Sequence, residues 1–173
     1  MSLLSCEAHM TDYQSHLSAY TAGKDPIAMQ QQAPIILEKL VDGLTEAKLK
    51  ERPAPEKWSV GEILAHLAED ELATSWRYRQ MIEHCGCELA SFDQDQWAQL
   101  GDYASWDPKE ALELFRLLRA ANVRMLAHLS SEDWQKYGIH TERGKLTVGD
   151  LARHMAGHDM NHIDQVRRIL DRR

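Results

Sequence analysis

Hydrophobic residues recur at helical spacing in four long stretches of the chain, and this periodicity predicts four helices. The stretches cover residues 34–44, 59–84, 107–130 and 147–170. The pair Asp25-Pro26 suits a helix cap and first turn, but a helix begun there would contain Pro34 and be kinked by it, so we assign only residues 34–44 to the first helix. The pattern therefore predicts a protein built mainly from amphipathic helices.

Three of the predicted helices begin with capping signals. Each start has a polar N-cap side chain, followed by an acidic residue in the first turn or by a proline at the first helical position. The pairs are Ser59 with Glu62, Asp107 with Pro108, and Thr147 with Asp150. The helix after Ser59 should run to about His84, where Gly86 can supply a left-handed cap.

The chain outside these stretches is less regular. Residues 1–24 are polar and weakly periodic, so either a short helix or a loose arm fits them. We therefore divide the chain into this N-terminal segment and one domain of residues 25–173. Residues 45–57 contain Pro53 and Pro55 and are predicted to form a linker without regular helix.

A long segment from Cys87 to Trp106 separates the second and third predicted helices. Such a length indicates either a functional loop or a missed element, and residues 93–100 can form one short helix. We expect its aromatic side chains to pack over the core as a lid rather than to stack on a substrate. These side chains are Phe92, Trp97, Tyr103 and Trp106.

Length and composition narrow the class of protein. With 173 residues, 43% of them hydrophobic and 27% charged, the chain has the size and polarity of one globular domain. It contains no run of roughly 18 uncharged apolar residues, so we expect no membrane span. The first residues lack the basic stretch and apolar core of a signal peptide, which predicts a cytoplasmic location.

Charge and cysteine usage exclude two further classes. A formal net charge of −7 argues against nucleic acid as a partner. The basic cluster at the C-terminus is expected to complement the dipole of the last helix. It consists of Arg167, Arg168, Arg172 and Arg173. The three cysteines are an odd number, with Cys85 and Cys87 in a C-x-C spacing, so a disulfide framework is not indicated.

Candidate chemistry lies in the last helix, where His154, His158 and His162 follow one another every four residues. At about 100° of rotation per residue, His162 lies about 40° from the centre of the apolar face, His158 about 80° and His154 about 120°. His158 and His162 therefore point toward the core, and His154 lies on the flank. Imidazoles at i and i+4 can bind one divalent cation, but hydrogen-bonded core histidines explain this stretch alone equally well.

A further histidine, His66, lies beside the apolar face of the second helix, in line with Asp70. Asp70 and the neighbouring Glu69 are candidates to orient an imidazole or to move a proton. The alternative is an exposed acidic patch, which fits Glu69 better than Asp70. His140 is another candidate, in the connector between the third and fourth helices.

These residues together resemble a known family. Trp58-Ser59-Val60 followed by His66-Leu67, and later His158-Asp159-x-x-His162-x-x-Gln165-Val166, resemble the motifs of the DinB-like superfamily of damage-inducible, YfiT-type proteins. The resemblance covers roughly residues 29 to 170. It implies an all-α four-helix bundle with up-down-down-up connections, in which the long segment between helices 2 and 3 carries the crossover. It also implies one divalent metal ion held by His66, His158 and His162, with His154 outside the ligand set.

The implied ligand set indicates a class of chemistry. Three neutral imidazoles without a protein carboxylate leave coordination positions open, as in catalytic sites. Activation of water would make the protein a metal-dependent hydrolase, and binding of a thiolate would make it a thiol S-transferase or isomerase. Zinc, nickel, copper and ferrous iron all suit imidazole ligands. Asp70 is the candidate catalytic residue.

The expected partner is a small-molecule substrate, with a low-molecular-weight thiol as one option, and resemblance to the family implies a homodimer. Two alternatives stay open. The chain fits a metal-containing binding or stress-response protein without turnover, and it also fits a helical scaffold whose site is vestigial.

Overall fold

The computed structural model describes the backbone of residues 3–171 and the side chains of residues 12–171. Its helices are α1 (Leu3–Thr21), α2 (Pro26–Val41), α3 (Glu46–Lys50), α4 (Val60–Glu83), α5 (Gln94–Leu100), α6 (Pro108–Leu126) and α7 (Val148–Leu170). Its strands are β1 (Cys87–Leu89), β2 (Tyr137–His140) and β3 (Gly144–Thr147), and a 3₁₀ turn covers Asp133–Gln135.

Helices α2, α4, α6 and α7 form the predicted four-helix bundle. Helices α4 and α6 run in the same direction, because Pro108 at the start of α6 lies beside Gly61 at the start of α4. Gln30, early in α2, donates a hydrogen bond of 2.8 Å to a carbonyl in the second turn of α7, so these two helices are also parallel. Thr74 lies in the second half of α4 and contacts Met155 in the first half of α7, so α4 and α7 are antiparallel. The pair α4 and α6 therefore runs opposite to the pair α2 and α7. The connections are therefore up-down-down-up, with the crossover between α4 and α6.

The core consists of the apolar faces that the periodicity predicts. On α4, side chains at helical spacing are buried: Ile63, Leu67, Thr74, Tyr78 and Met81. Phe115 and Leu126 of α6 and Ile163 and Val166 of α7 face them across the bundle. Each long helix keeps a polar face, and within residues 3–171 no helix is both long and apolar enough to cross a membrane.

One charged side chain, Arg119, links all four bundle helices. From α6 it pairs with Asp159 of α7 and, at 2.8 Å, with Glu71 of α4, and its Nη1 donates to the carbonyl of Gln30 in α2. Burial by itself lowers the pKa of this guanidinium, but the two carboxylates raise it well above its usual value, so Arg119 is charged. The four helices are thereby tied together immediately next to His158.

Two local predictions are wrong. Helix α2 passes through Pro34 without a break and ends at Val41 rather than at Leu44. The ring of Pro34 is buried in the core, and this packing offsets the hydrogen bond that a proline removes. The segment 45–57 contains the short helix α3, with the Thr45 side chain as its cap, because the two prolines restrict only the residues next to them.

The predicted helix starts are confirmed. Ser59 with Glu62 and Thr147 with Asp150 form complete capping boxes, and Asp107 caps α6. Gly86 follows α4 with a φ of +90°, as its predicted role requires. The short helix predicted at residues 93–100 is α5, whereas α6 ends at Leu126 instead of about Ser130.

Three short strands form a sheet that the sequence analysis did not predict. β1 pairs in parallel with β2, and β2 pairs with β3 in antiparallel. Each strand has only three or four residues, which is too short for a recognisable alternation of polar and apolar positions. The sheet joins the end of α4 to the start of α7, and its loops therefore lie near the histidines of these helices.

Helix α1 packs along α7, so most of the N-terminal segment is a helix rather than a loose arm. The closest approach is at Gly157, where a Cβ atom would lie 2.5 Å from the carbonyl oxygen of Leu17. Only glycine allows the two helices to come this close. The division of the chain at residue 25 into two units stays a prediction.

Candidate metal centre

Three imidazoles from two helices meet inside the bundle. His66 comes from α4, and His158 and His162 come from successive turns of α7. The Nε2 atom of His158 lies 3.3 Å from Nε2 of His66 and 3.1 Å from Nε2 of His162. All three side chains are buried. The structure thus brings together the three residues named from the sequence, and ligation of a metal by them stays a prediction.

The other candidate histidines lie outside this cluster. His154, one turn before His158, has its ring centroid 6.1 Å from that of His158 and faces the neighbouring cavity. His140, at the end of β2, is buried and lines the same cavity. The rotation argument therefore separated the two inward histidines of α7 from the one on the flank.

Burial keeps the clustered imidazoles neutral. It lowers the pKa of His66 to about 3, with a smaller contribution from His162, and it lowers the pKa of His162 to about 4. The pKa of His158 is lowered well below its usual value by burial and by the two neighbouring imidazoles. Near pH 7 all three rings therefore have a nitrogen lone pair available.

Two polar side chains lie next to the outer nitrogens of His162 and His158. The Nδ1–H of His162 donates to Oε1 of Gln165 at 3.0 Å, which leaves the lone pair on Nε2, facing the other rings. His158 Nδ1 is buried and has no hydrogen-bond partner among residues 12–171. Its nearest carboxylate is Asp70, with Oδ2 at 3.5 Å. Burial raises the pKa of Asp70 to about 7, and Arg77 partly opposes this effect.

The second acidic candidate, Glu69, has a different role. Its Oε2 accepts a hydrogen bond of 2.8 Å from the hydroxyl of Tyr103, so Glu69 anchors the crossover segment rather than an imidazole. Tyr103 is buried and packs beside Trp58, whose ring centroid lies 5.1 Å from that of His66. Aromatic side chains thus cover the cluster on this side. Of the expected lid residues, Tyr103 is among them, whereas Phe92 stacks on Trp97 and lines the first cavity.

The geometry of the cluster fits a single ion. Two nitrogens bound to one divalent ion at about 2.0–2.1 Å and at a tetrahedral angle lie about 3.4 Å apart. The observed separations of 3.3 and 3.1 Å are close to this value. The buried Nδ1 of His158 without a partner, beside a carboxylate, matches the outer contacts of metal-bound histidines. The residues present therefore fit a three-histidine metal site.

Two cavities reach the cluster. The first has a volume of about 250 Å³ and borders His66 and His158, and the second has a volume of about 510 Å³ and borders His162. The second cavity lies within the range of about 300–1,000 Å³ that is typical of small-molecule sites, and the first lies just below it. Tyr13 of α1 and Gln94 of α5 line both cavities, so the added helices complete the walls of the site.

Sequence reasoning missed several residues around the site. Arg119 lies at helical spacing between Phe115 and Asn122 on the buried face of α6, so its burial could have been predicted from the sequence. Of the two arginines that line the first cavity, Arg77 lies on the same line of α4 as His66 and Asp70, so its spacing was a signal as well. Arg143, in the turn between β2 and β3, carried none. Gln165 was part of the quoted motif, but only the structure pairs it with His162.

Known proteins share this fold. The family model described as the DinB superfamily matches residues 29–166. "Putative metal-dependent hydrolase OB0782" of Oceanobacillus iheyensis is 23% identical over 143 residues, which are 83% of either chain. "Putative metal-dependent hydrolase YfiT" of Bacillus subtilis is 20% identical over 81% of this chain and 79% of its own length.

Two solved structures are similar to this one. The structure of YfiT, described as "a probable metal-dependent hydrolase with an unusual four-helix bundle topology", is 20% identical and has a TM-score of 0.79 over 85% of either chain. The mycothiol-dependent maleylpyruvate isomerase is 10% identical, with a TM-score of 0.61 over 80% of this chain and 56% of that one. At these identities the two structures support the fold.

Proposed function

The chain belongs to the DinB superfamily, and from this premise we propose that it is a metal-dependent hydrolase of a small-molecule substrate, with one divalent ion held by His66, His158 and His162. The observation that carries the proposal is the convergence of three buried, neutral Nε2 atoms from two helices. The relatives named as metal-dependent hydrolases support it. Zinc, nickel and ferrous iron are the candidate ions, since imidazole suits each of them.

The site supplies few ligands and leaves room for others. When bound by three imidazoles, a divalent ion lowers the pKa of water and polarises carbonyl groups, or holds a thiol as its thiolate. Gln165 orients His162, and Asp70 is placed to orient His158. The aromatic wall formed by Trp58 and Tyr103 excludes water from one side of the rings.

A thiol S-transferase is the second candidate function. It is supported by the same ligand set, which suits a thiolate, and by the likeness of the fold to a mycothiol-dependent isomerase. Cys85 and Cys87 lie in and beside the turn after α4 and do not line the two cavities that border the histidines. Neither cysteine among residues 12–171 supplies a thiol to these cavities, and in this candidate function the thiol comes from a small molecule.

An activity assay tests the proposal. Protein purified without a histidine tag is loaded with zinc, nickel or ferrous iron and offered a panel of small esters and amides, and separately an electrophile with cysteine as the thiol. We expect hydrolysis that a chelator removes and that renewed metal restores, with Cys85→Ala as active as the wild type. Thiol conjugation without hydrolysis would favour the second candidate. Stoichiometric metal without turnover across the panel would favour a binding protein.

Asp70 is expected to strengthen metal binding indirectly, by orienting the His158 imidazole. In Asp70→Asn we expect the affinity for the metal to fall about 10–100-fold, because a carboxylate that receives the outer N–H of a ligand histidine orients it and raises its basicity. Competition with a chromogenic chelator measures this change. Glu69→Gln is the matched control, since Glu69 contacts Tyr103 instead. Unchanged metal affinity together with lost activity in Asp70→Asn would instead assign Asp70 to proton transfer.

The homodimer and the cytoplasmic location implied by the sequence also stay predictions. Size-exclusion chromatography with light scattering tests the first of them. We expect the mass of two chains, and a mass of 19.8 kDa would show a monomer.

A further inference from the structure

Two arginines line the cavity that borders His66 and His158. Arg77 lies on α4, three turns after His66, and Arg143 lies in the turn between β2 and β3. The cavity has a volume of about 250 Å³, so a small molecule inside it can contact both guanidiniums and the side of the imidazole cluster. The short sheet that the sequence did not predict is what brings Arg143 to this place.

Neither guanidinium has a full set of partners. Both side chains are half-buried. Among residues 12–171, no carboxylate oxygen lies within 4.0 Å of a nitrogen of either guanidinium, so neither forms an ion pair. Arg77 donates one hydrogen bond, of 2.6 Å, to the carbonyl of Ala90, and its Cζ lies 5.3 Å from the centroid of the Phe92 ring. The Nε of Arg143 is buried without a hydrogen-bond partner among the described side chains.

The cavity lining carries as many carboxyl groups as guanidiniums, since Asp70 and Glu142 border it together with Arg77 and Arg143. Burial lowers the pKa of Arg77, and burial together with the charge of Arg77 lowers the pKa of Arg143. Asp70 and Glu142 oppose this effect on the pKa of Arg77, and Tyr13, Asp150 and Asp70 oppose it on the pKa of Arg143. Within the described residues no carboxylate makes a direct contact with either guanidinium. A half-buried charge without a paired group is unfavourable, and an anion that enters the cavity would supply that group.

We propose that Arg77 and Arg143 form a binding site for the oxyanion of a small acidic substrate, a carboxylate or a phosphate, whose other end lies toward His66 and His158. Guanidinium groups recognise both oxyanions through paired hydrogen bonds. The role of this site in binding a substrate rests on the proposed hydrolase function. Binding of the anion by the two arginines requires no metal. The paired donors of the two guanidiniums, and not the net charge of the lining, would select an oxyanion here, since Asp70 and Glu142 border the same cavity.

The second cavity also has two carboxyl groups but lacks the pair of guanidiniums. It borders His162 and is lined by the carboxylates of Glu56 and Asp95, with Lys57 as its single cationic side chain among the lining residues. An oxyanion is therefore favoured in the first cavity and disfavoured in the second. This difference gives a bound substrate one orientation relative to the imidazoles.

Calorimetric titration with two probe anions tests the proposal. Glutarate and inorganic phosphate are titrated into full-length protein, both metal-loaded and metal-free, with the neutral diamide glutaramide as the uncharged probe. We expect at least one anion to bind and glutaramide not to bind, and we expect Arg143→Met and Arg77→Met each to weaken binding about tenfold or more in both metal states. Arg124→Met, an exposed arginine on α6, is the matched control and should bind as the wild type does. Whichever probe binds identifies the oxyanion as a carboxylate or a phosphate.

The outcomes separate this proposal from the metal centre. Binding that disappears with the metal but is unchanged in Arg143→Met would place the anion on the ion and overturn the proposal, while the metal site stands. Binding of neither anion would also overturn it. Arginine-dependent binding by a protein that takes up no metal would support the anion site and refute the hydrolase function. Circular dichroism shows whether each arginine variant is folded. Because Arg77 and Arg143 lie on different elements, a folded Arg143→Met still tests the anion site if Arg77→Met misfolds, and the reverse also holds.

Discussion

Replacement of His158 by alanine is expected to abolish stoichiometric binding of the divalent ion. Its Nε2 is the central atom of the cluster, at 3.3 Å from that of His66 and 3.1 Å from that of His162. Removal of one of three ligands should weaken binding by more than the 10–100-fold that loss of an outer partner causes. The measurements are elemental analysis of protein without a histidine tag and equilibrium competition with a chelator.

The chain offers a matched control for this substitution in His154. This residue lies one turn earlier on the same helix and borders the same cavity, but it is not part of the cluster, so His154→Ala should keep the metal. A ligand that binds only the folded state raises its stability. A chelator should therefore lower the melting temperature of the wild type and of His154→Ala, and leave that of His158→Ala unchanged. Full metal content in His158→Ala would refute the proposed ligand set.

Replacement of Arg119 by methionine is expected to destabilise the fold by about 3–5 kcal/mol. The side chain is 1% exposed and its removal leaves the carboxylates of Glu71 and Asp159 buried without their cation. It also removes the hydrogen bond to the Gln30 carbonyl, so the contact of α6 with α2 weakens as well. Urea unfolding in the presence of a chelator measures the free energy of unfolding without a contribution from metal.

Arg116 provides the comparison for this prediction. It lies one turn before Arg119 on the outer face of α6, where it pairs with Glu113 in solvent. Arg116→Met should change the free energy of unfolding by about 0.5 kcal/mol or less, because exposed ion pairs contribute little. If the two variants were equally stable, the buried network would not hold the helices together as described. Combining Arg119→Met with Glu71→Gln and Asp159→Asn should recover part of the loss, since no unpaired charge then stays buried.

The helices and their starts could be predicted because their signals are local. A capping box such as Ser59 with Glu62 acts within one turn, and an apolar stripe acts within one helix. The errors came where packing overrides local preference. Pro34 is tolerated inside α2 because its ring is buried, and no pattern along the chain records that burial.

The candidate site was partly accessible in the same way. The rotation of one helix separated His158 and His162 from His154 without knowledge of the fold. His66 was joined to them through the family resemblance and not through its spacing. The surroundings of the cluster were accessible only in part. Asp70 was named from its line with His66, and Gln165 pairs with His162 within one turn of α7, whereas the two cavity arginines meet only through tertiary contacts.

By itself the sequence determined four amphipathic helices, their caps and an inward pair of histidines, since each of these depends on residues within one or two helical turns. Only the tertiary structure decided that His66 meets His158 across 92 residues of chain, that Arg119 ties four helices together, and that a short sheet brings Arg143 to the cavity. The reason is physical. Such contacts depend on how separate elements pack, and packing is decided by the shapes and charges of surfaces that are far apart in sequence.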